Sequence, residues 1–274
     1  MKRELIIFGL ILSGILSAQQ DSTIIKSTEI ELMKHFTALS EIKNDNQQNQ
    51  LNDSIINHFK SILKSPLSFH YPFDSLKTIG KTFAKDDKLK IYSWNVPYED
   101  GSHNISCIIQ YFSSKDSLEY LILNDMSDEI TNPEFVSLSP NNWYGAMYYD
   151  IVIEKVDKQT YYFLMGYNPG NLFSNKKVID VFYFDEFGYP KFGKPFFEIK
   201  NQLKYRIVFE YNEKASMTLH YDEKLKMIVF HRLVPIDYKY KDNPVFYGPD
   251  SSFDGFVFKK DIWHFVEEVD ARND

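Results

Sequence analysis

The chain predicts a mainly β protein, with antiparallel meander sheets in a sandwich-like or propeller-like arrangement and two N-terminal amphipathic helices. Three observations predict it. Aromatic residues make up 16% of the chain, yet only Phe8, Phe36 and Phe59 precede Phe69. Apolar and polar residues alternate in several later segments, and turn-forming residues recur there at short spacing. The expected organisation is a signal peptide over residues 1–18, a helical segment over 19–65 and one antiparallel β domain over 66–274.

Lys2 and Arg3 open the chain, an apolar run extends from Leu5 to Leu16, and Ser17-Ala18 places small residues before Gln19. A basic start, a short apolar stretch and a small-residue cleavage point follow the order of a secretory signal peptide, here cut after Ala18. The run is shorter than the ~20 residues that span a bilayer as a helix. The only cysteine is Cys107, so lipid attachment at a new N-terminal cysteine is excluded. These features predict an exported protein of the periplasm or the extracellular space, neither membrane-embedded nor a lipoprotein.

The helices come next. Leu32, Phe36, Leu39 and Ile42 fall on one helical face, and Thr28 with Glu31 has the form of a capping box. The polar run from Lys43 to Gln50 is expected to end this helix. Leu51, Ile55, Phe59 and Ile62 form a second stripe, which Pro66 stops. Helices this short are marginal alone and must bury their stripes against other elements.

Beyond Pro66 the period changes to two. Ile207, Phe209 and Tyr211 alternate with Arg206 and Glu210, and Met217, Leu219 and Tyr221 alternate with Thr218 and His220. The run from Tyr161 to Met165 is apolar throughout and fits a strand covered on both faces. Turn signals stand at Lys85 to Lys88, Glu99 to Gly101, Ser113 to Asp116, Asp157-Lys158, Asn212 to Lys214, Asp222 to Lys224 and Lys259 to Asp261. Connections this short join antiparallel strands, which number about a dozen by this spacing. Two segments resemble each other: Asp87 to Ile91 leading to Val96-Pro97, and Glu223 to Met227 leading to Val234-Pro235. Regular repetition would indicate a propeller, whereas hairpin chemistry alone would leave a sandwich or a curved meander.

Charge and motifs narrow the function. Lys and Arg number 31 against 38 Asp and Glu, a net charge of −7 without a basic block, which argues against nucleic acid as partner. A single cysteine allows no intrachain disulfide and no cysteine-based metal site. Gly-rich phosphate loops, zincin motifs and serine-hydrolase elbows are absent, so no cofactor is implied. Cys107 lies in the apolar run Ile105 to Ile109 and reads as a buried, inert thiol. The seven histidines lack ligand spacing. His220 and His231 could face each other across the turn at Asp222 to Lys224, as a surface pair. Acidic residues gather at Asp125, Asp128 and Glu129 and at Asp250 and Asp254. Turn chemistry explains the second group better than calcium does, and no metal is expected.

Asp-Ser pairs recur at Asp21-Ser22-Thr23, Asp53-Ser54-Ile55, Asp74-Ser75-Leu76 and Asp116-Ser117-Leu118. These triplets resemble the O-glycosylation acceptor motif of exported Bacteroidota proteins, and they equally suit turns and helix caps. Trp143-Tyr144-Gly145-Ala146, the run from Ala215 to Pro235 and Tyr247-Gly248-Pro249-Asp250 resemble a group of uncharacterised exported Bacteroidota proteins. That resemblance implies export and carries over no catalytic residue.

The candidate binding residues are Trp143, Tyr144 and Tyr148, which follow the loop signal Ser139 to Asn142 and would begin at a sheet edge. Burial in the sheet is the alternative for the same aromatics. The function expected is an exported binding or structural module whose partner is a cell-envelope protein or glycan. A secreted, carboxylate-dependent glycan hydrolase is the alternative, and two carboxyl groups across an aromatic-lined cleft would favour it.

Overall fold

The apolar stripes of the N-terminal segment do fold into helices. The computed structural model describes residues 2–113 and 117–271, with side chains from residue 19 onward. Helix α1 spans Lys2–Glu41, α2 spans Asp45–Ile62 and α3 spans Pro66–His70. The side chains of the expected signal peptide lie outside this description, as does Asp116 of the last Asp-Ser triplet. The chain divides into two compact units, Met1–Ile79 with Gln110–Tyr120, and Gly80–Ile109 with Leu121–Asp274.

In the first unit α1 buries Ile25, Leu32, Phe36 and Leu39, while α2 buries Ile55, Phe59 and Ile62. Thr28 starts no helix: it lies inside α1, buried, because no Gly or Pro between Gln19 and Ser27 interrupts the turns before it. The first helix ends at Glu41, beside the polar run expected to end it, and that same run opens the second. Asn44 is the N-cap, its side chain accepting from Gln47 N–H at 3.1 Å. Pro66 opens α3 at its first turn, a position that needs no N–H donor. Buried Glu29 then ties α1 to the segment after α3. It accepts from the Tyr71 hydroxyl at 2.6 Å and from Ser75 N–H at 2.8 Å. Gln110 adds bonds to the Leu63 carbonyl at 2.7 Å and to Ser68 Oγ at 2.8 Å.

Fifteen strands follow among the described residues: β1 Gly80–Phe83, β2 Leu89–Pro97, β3 His103–Phe112, β4 Leu118–Leu123, β5 Met147–Val156, β6 Gln159–Asn168, β7 Ser174–Phe184, β8 Pro190–Phe192, β9 Phe197–Ile199, β10 Gln202–Lys204, β11 Ile207–Asn212, β12 Leu219–Asp222, β13 Met227–Pro235, β14 Tyr247–Lys259 and β15 Ile262–Val266. They form three sheets, ordered β1-β2-β3-β4, β11-β7-β6-β5 with β8 beside β7, and β10-β9-β15-β14-β13-β12. Asp157-Lys158 and Lys260-Asp261 make two-residue turns with both φ positive, the geometry that matches strand twist. One pairing departs from the meander, since β15 runs parallel to β9 through Trp263↔Phe197 and His264↔Glu198. Their connection is long, so the rule for short turns does not constrain it.

The core of the second unit lies between two of these sheets. Phe163, Met165, Ile179 and Val181 from β6 and β7 pack with Phe197, Ile228, Phe256 and Trp263 from the six-stranded sheet, which is a sandwich-like arrangement. All three sheets are open, and the two similar segments fall in different sheets as β2 and β13.

Candidate functional site

Trp143, Tyr144 and Tyr148 are all buried, with exposures of 0%, 3% and 0%. None offers a face to a ligand. Two of them bond each other within the second unit: Trp143 Nε1 donates to the Tyr148 hydroxyl at 2.8 Å. Asp180, also fully buried, takes Arg206 Nε at 3.2 Å and its own neighbour Val181 N–H at 2.8 Å. Arg206 Nη1 donates to the carbonyls of Pro133 and Val136. Burial, and then the charge of Asp180, pushes the Tyr148 phenol well up. These aromatics hold the fold.

The other polar candidates are also structural. Cys107 is buried, and burial pushes its thiol up, away from the reactive thiolate. Asp125 accepts from Ile105 N–H at 2.9 Å, Ser127 N–H at 3.0 Å and Gly145 N–H at 3.1 Å. A Cβ at Gly145 would lie 2.2 Å from Asp125 Oδ2, which explains a glycine there. Asp250 accepts from Ser252 N–H and Oγ, within a bulge of β14 opposite the register break at His231/Leu233. Asp254 grips Arg232 with both oxygens. His220 faces Val229 in the ladder, while His231 bonds Thr218 instead, so the two histidines are not register partners. Among the described residues no group of three ligating side chains could hold a metal.

A groove of about 450 Å3 lies along β11 in the second unit. Val208, Phe209 and Glu210 of β11, Leu233 of β13, and Pro244 and Tyr247 line it. The near rim is the short 3-10 turn Pro133–Phe135, entered through Asn132 at φ 51°. Phe135 stands 42% exposed on that rim. Two carboxylates enter the groove. Glu134 accepts Val208 N–H at 3.1 Å through Oε1 and pairs with Lys204 through Oε2. Glu210 accepts from Ser174 Oγ at 2.5 Å through Oε1. The arrangement is apolar with a few fixed polar groups, which is the chemistry of a binding groove. The sequence does not reveal it because its residues come from four separate segments: Phe209 and Glu210 stand in an alternating strand, and Leu233 and Tyr247 in the segments of the resemblance, but nothing in their spacing brings them together.

No protein-family model matches the chain, and neither a curated protein nor a solved structure matches it.

Proposed function

We propose that the protein is an exported binding module of the periplasm or cell surface, and that it binds its partner in the groove beside β11. The groove carries the reading, because it combines apolar walls, fixed carboxylates and an exposed aromatic rim. Export rests on Lys2-Arg3, the run from Leu5 to Leu16 and Ser17-Ala18. Among the described residues no helix is long and apolar enough to cross a membrane.

Immobilised full-length protein and its Leu233→Trp variant, exposed to cell-envelope extract, test the site. The indole should fill the groove and remove most of the retained material while the melting curve stays the same. Equal retention by both proteins defeats the reading. Sequencing the N-terminus of protein recovered from the envelope or medium tests export, and an intact Met1 there contradicts it.

The hydrolase reading stands second, favoured by Glu134 and Glu210 beside Phe135, Phe209 and Tyr247. A glycosidase acid must hand a proton to the leaving oxygen. Both oxygens of Glu134 are already engaged, by Lys204 and by Val208 N–H. Hydrolysis of envelope polysaccharide that disappears in Glu210→Gln would move this reading to first place.

A further inference from the structure

Resting on that binding reading, we propose that the groove takes an extended peptide, which adds a strand to β11 at Glu210 and carries a lysine or arginine between two apolar residues. β11 is the outer strand of its sheet and, among the described residues, pairs only with β7. In an antiparallel ladder the N–H and C=O of one residue point the same way, and successive residues alternate. Val208 gives its N–H to Glu134 Oε1, so it faces away from β7. Glu210, two residues on, turns its own N–H and C=O outward along the same edge, and neither has a partner among the described residues.

The edge is closed on both sides of this position. The Glu134 carboxylate covers Val208 N–H, and the Asn212 carbonyl accepts Ala215 N–H at 2.9 Å. One complete bonding position is left, opening into the groove. Strand addition of this kind supplies affinity through main-chain bonds and selectivity through alternate side chains.

Alternation also sets the composition of the peptide. A residue opposite Glu210 places its side chain on the face that Glu210 occupies. There the carboxylate's Oε2 makes no hydrogen bond among the described residues. Lys176, the register partner of Glu210 on β7, forms no ion pair with it among those residues. A basic side chain is therefore the complementary one. The neighbours on either side point to the opposite face, where Phe209 and Leu233 present apolar surface. A second copy fits less well, because pairing β11 with β11 about Glu210 sets carboxylate against carboxylate.

The probes are three capped pentapeptides titrated into the isotope-labelled full chain. The first reads threonine-valine-lysine-valine-threonine, the second is the same peptide methylated on the lysine main-chain nitrogen, and the third has glutamate in place of lysine. The first should shift the Glu210 amide saturably, and each of the others should bind about tenfold more weakly. Glu210→Lys should reverse the preference between lysine and glutamate, which keeps the idea testable if Leu233→Trp fails to fold. Equal binding by the parent and the methylated peptide overturns strand addition, and so does the absence of binding by any peptide. If Leu233→Trp still blocks envelope capture in that case, the groove holds another ligand such as a glycan, and only the peptide proposal falls. If capture ignores Leu233→Trp, the binding reading itself falls.

Discussion

Arg206→Met removes one half of the buried pair that anchors the Trp143–Tyr148 region. Both charged side chains are fully buried, with Nε 3.2 Å from Asp180 Oδ1. Methionine fills much of the same space but leaves the Asp180 carboxylate without its counter-charge. It also leaves the carbonyls of Pro133 and Val136 without the donor Nη1. Losing one partner of a buried pair costs roughly 3–5 kcal/mol. For a unit of this size that lowers the melting temperature by on the order of 6–20 °C, at about 2–4 °C per kcal/mol. Acid gives the signature. Burial pushes the Asp180 carboxyl above the usual range and Arg206 pulls it back, so the variant carries a still higher folded-state value. A carboxyl raised in this way binds its proton more readily when folded. The penalty is therefore full above the folded-state pKa and fades as pH falls through it toward the unfolded value. Urea titrations at neutral and mildly acidic pH should show the loss shrinking on acidification, and adding Asp180→Asn should recover part of it. A loss below about 0.5 kcal/mol, the range of ordinary surface changes, refutes the reasoning. So does a loss that ignores pH.

Two further outcomes follow from one buried and one half-buried polar group. Lys90 is fully buried in β2 with Nζ 4.3 Å from the Phe83 ring centroid, and burial pulls its pKa down to about 7 from 10.5. The folded chain thus releases this proton while the unfolded chain keeps it, so stability should rise with pH between those values. Lys90→Met should flatten that rise in a midpoint-against-pH series, and an unchanged slope counts against it. Asp125→Asn leaves one amide oxygen to serve three N–H groups and turns an NH2 toward one of them. It should cost about 1–3 kcal/mol by thermal melt, whereas an unmoved melting temperature would show that water replaces those bonds.

The hairpins were legible in the sequence because their turns are local. Asp157-Lys158, Asp222 to Lys224 and Lys260-Asp261 mark chain reversals by their own residue types, and the strands on either side follow. Aromatic density is a poor guide to a binding site in this chain. Trp143 and Tyr148 have polar handles that suit a binding surface, but each satisfies the other inside the fold, and no residue count reveals that. Thr28 shows the converse error, a capping pattern in a stretch where no breaker stops the helix. The groove was invisible for a physical reason. Glu134, Glu210 and Leu233 meet only once two sheets and the 3-10 turn Pro133–Phe135 have come together, and their neighbours in sequence say nothing of that meeting.

The parallel pairing of β9 with β15 bears on how the chain reaches its final state. Glu198 and His264 bond at 2.6 Å across a separation of 66 residues. A hairpin can zip as soon as its turn forms, but this contact closes a stretch of chain that carries β10 to β14 between its partners. Until Ile262–Val266 docks, the β9–β10 hairpin lacks its neighbour in the six-stranded sheet, and Phe197 lacks the Trp263 beside it. Closing so distant a contact is slow because the loop entropy is lost before the contact rewards it. A chain emerging N-terminus first during synthesis would therefore carry that seam unsealed, open to chaperones and proteases until its last strand arrives.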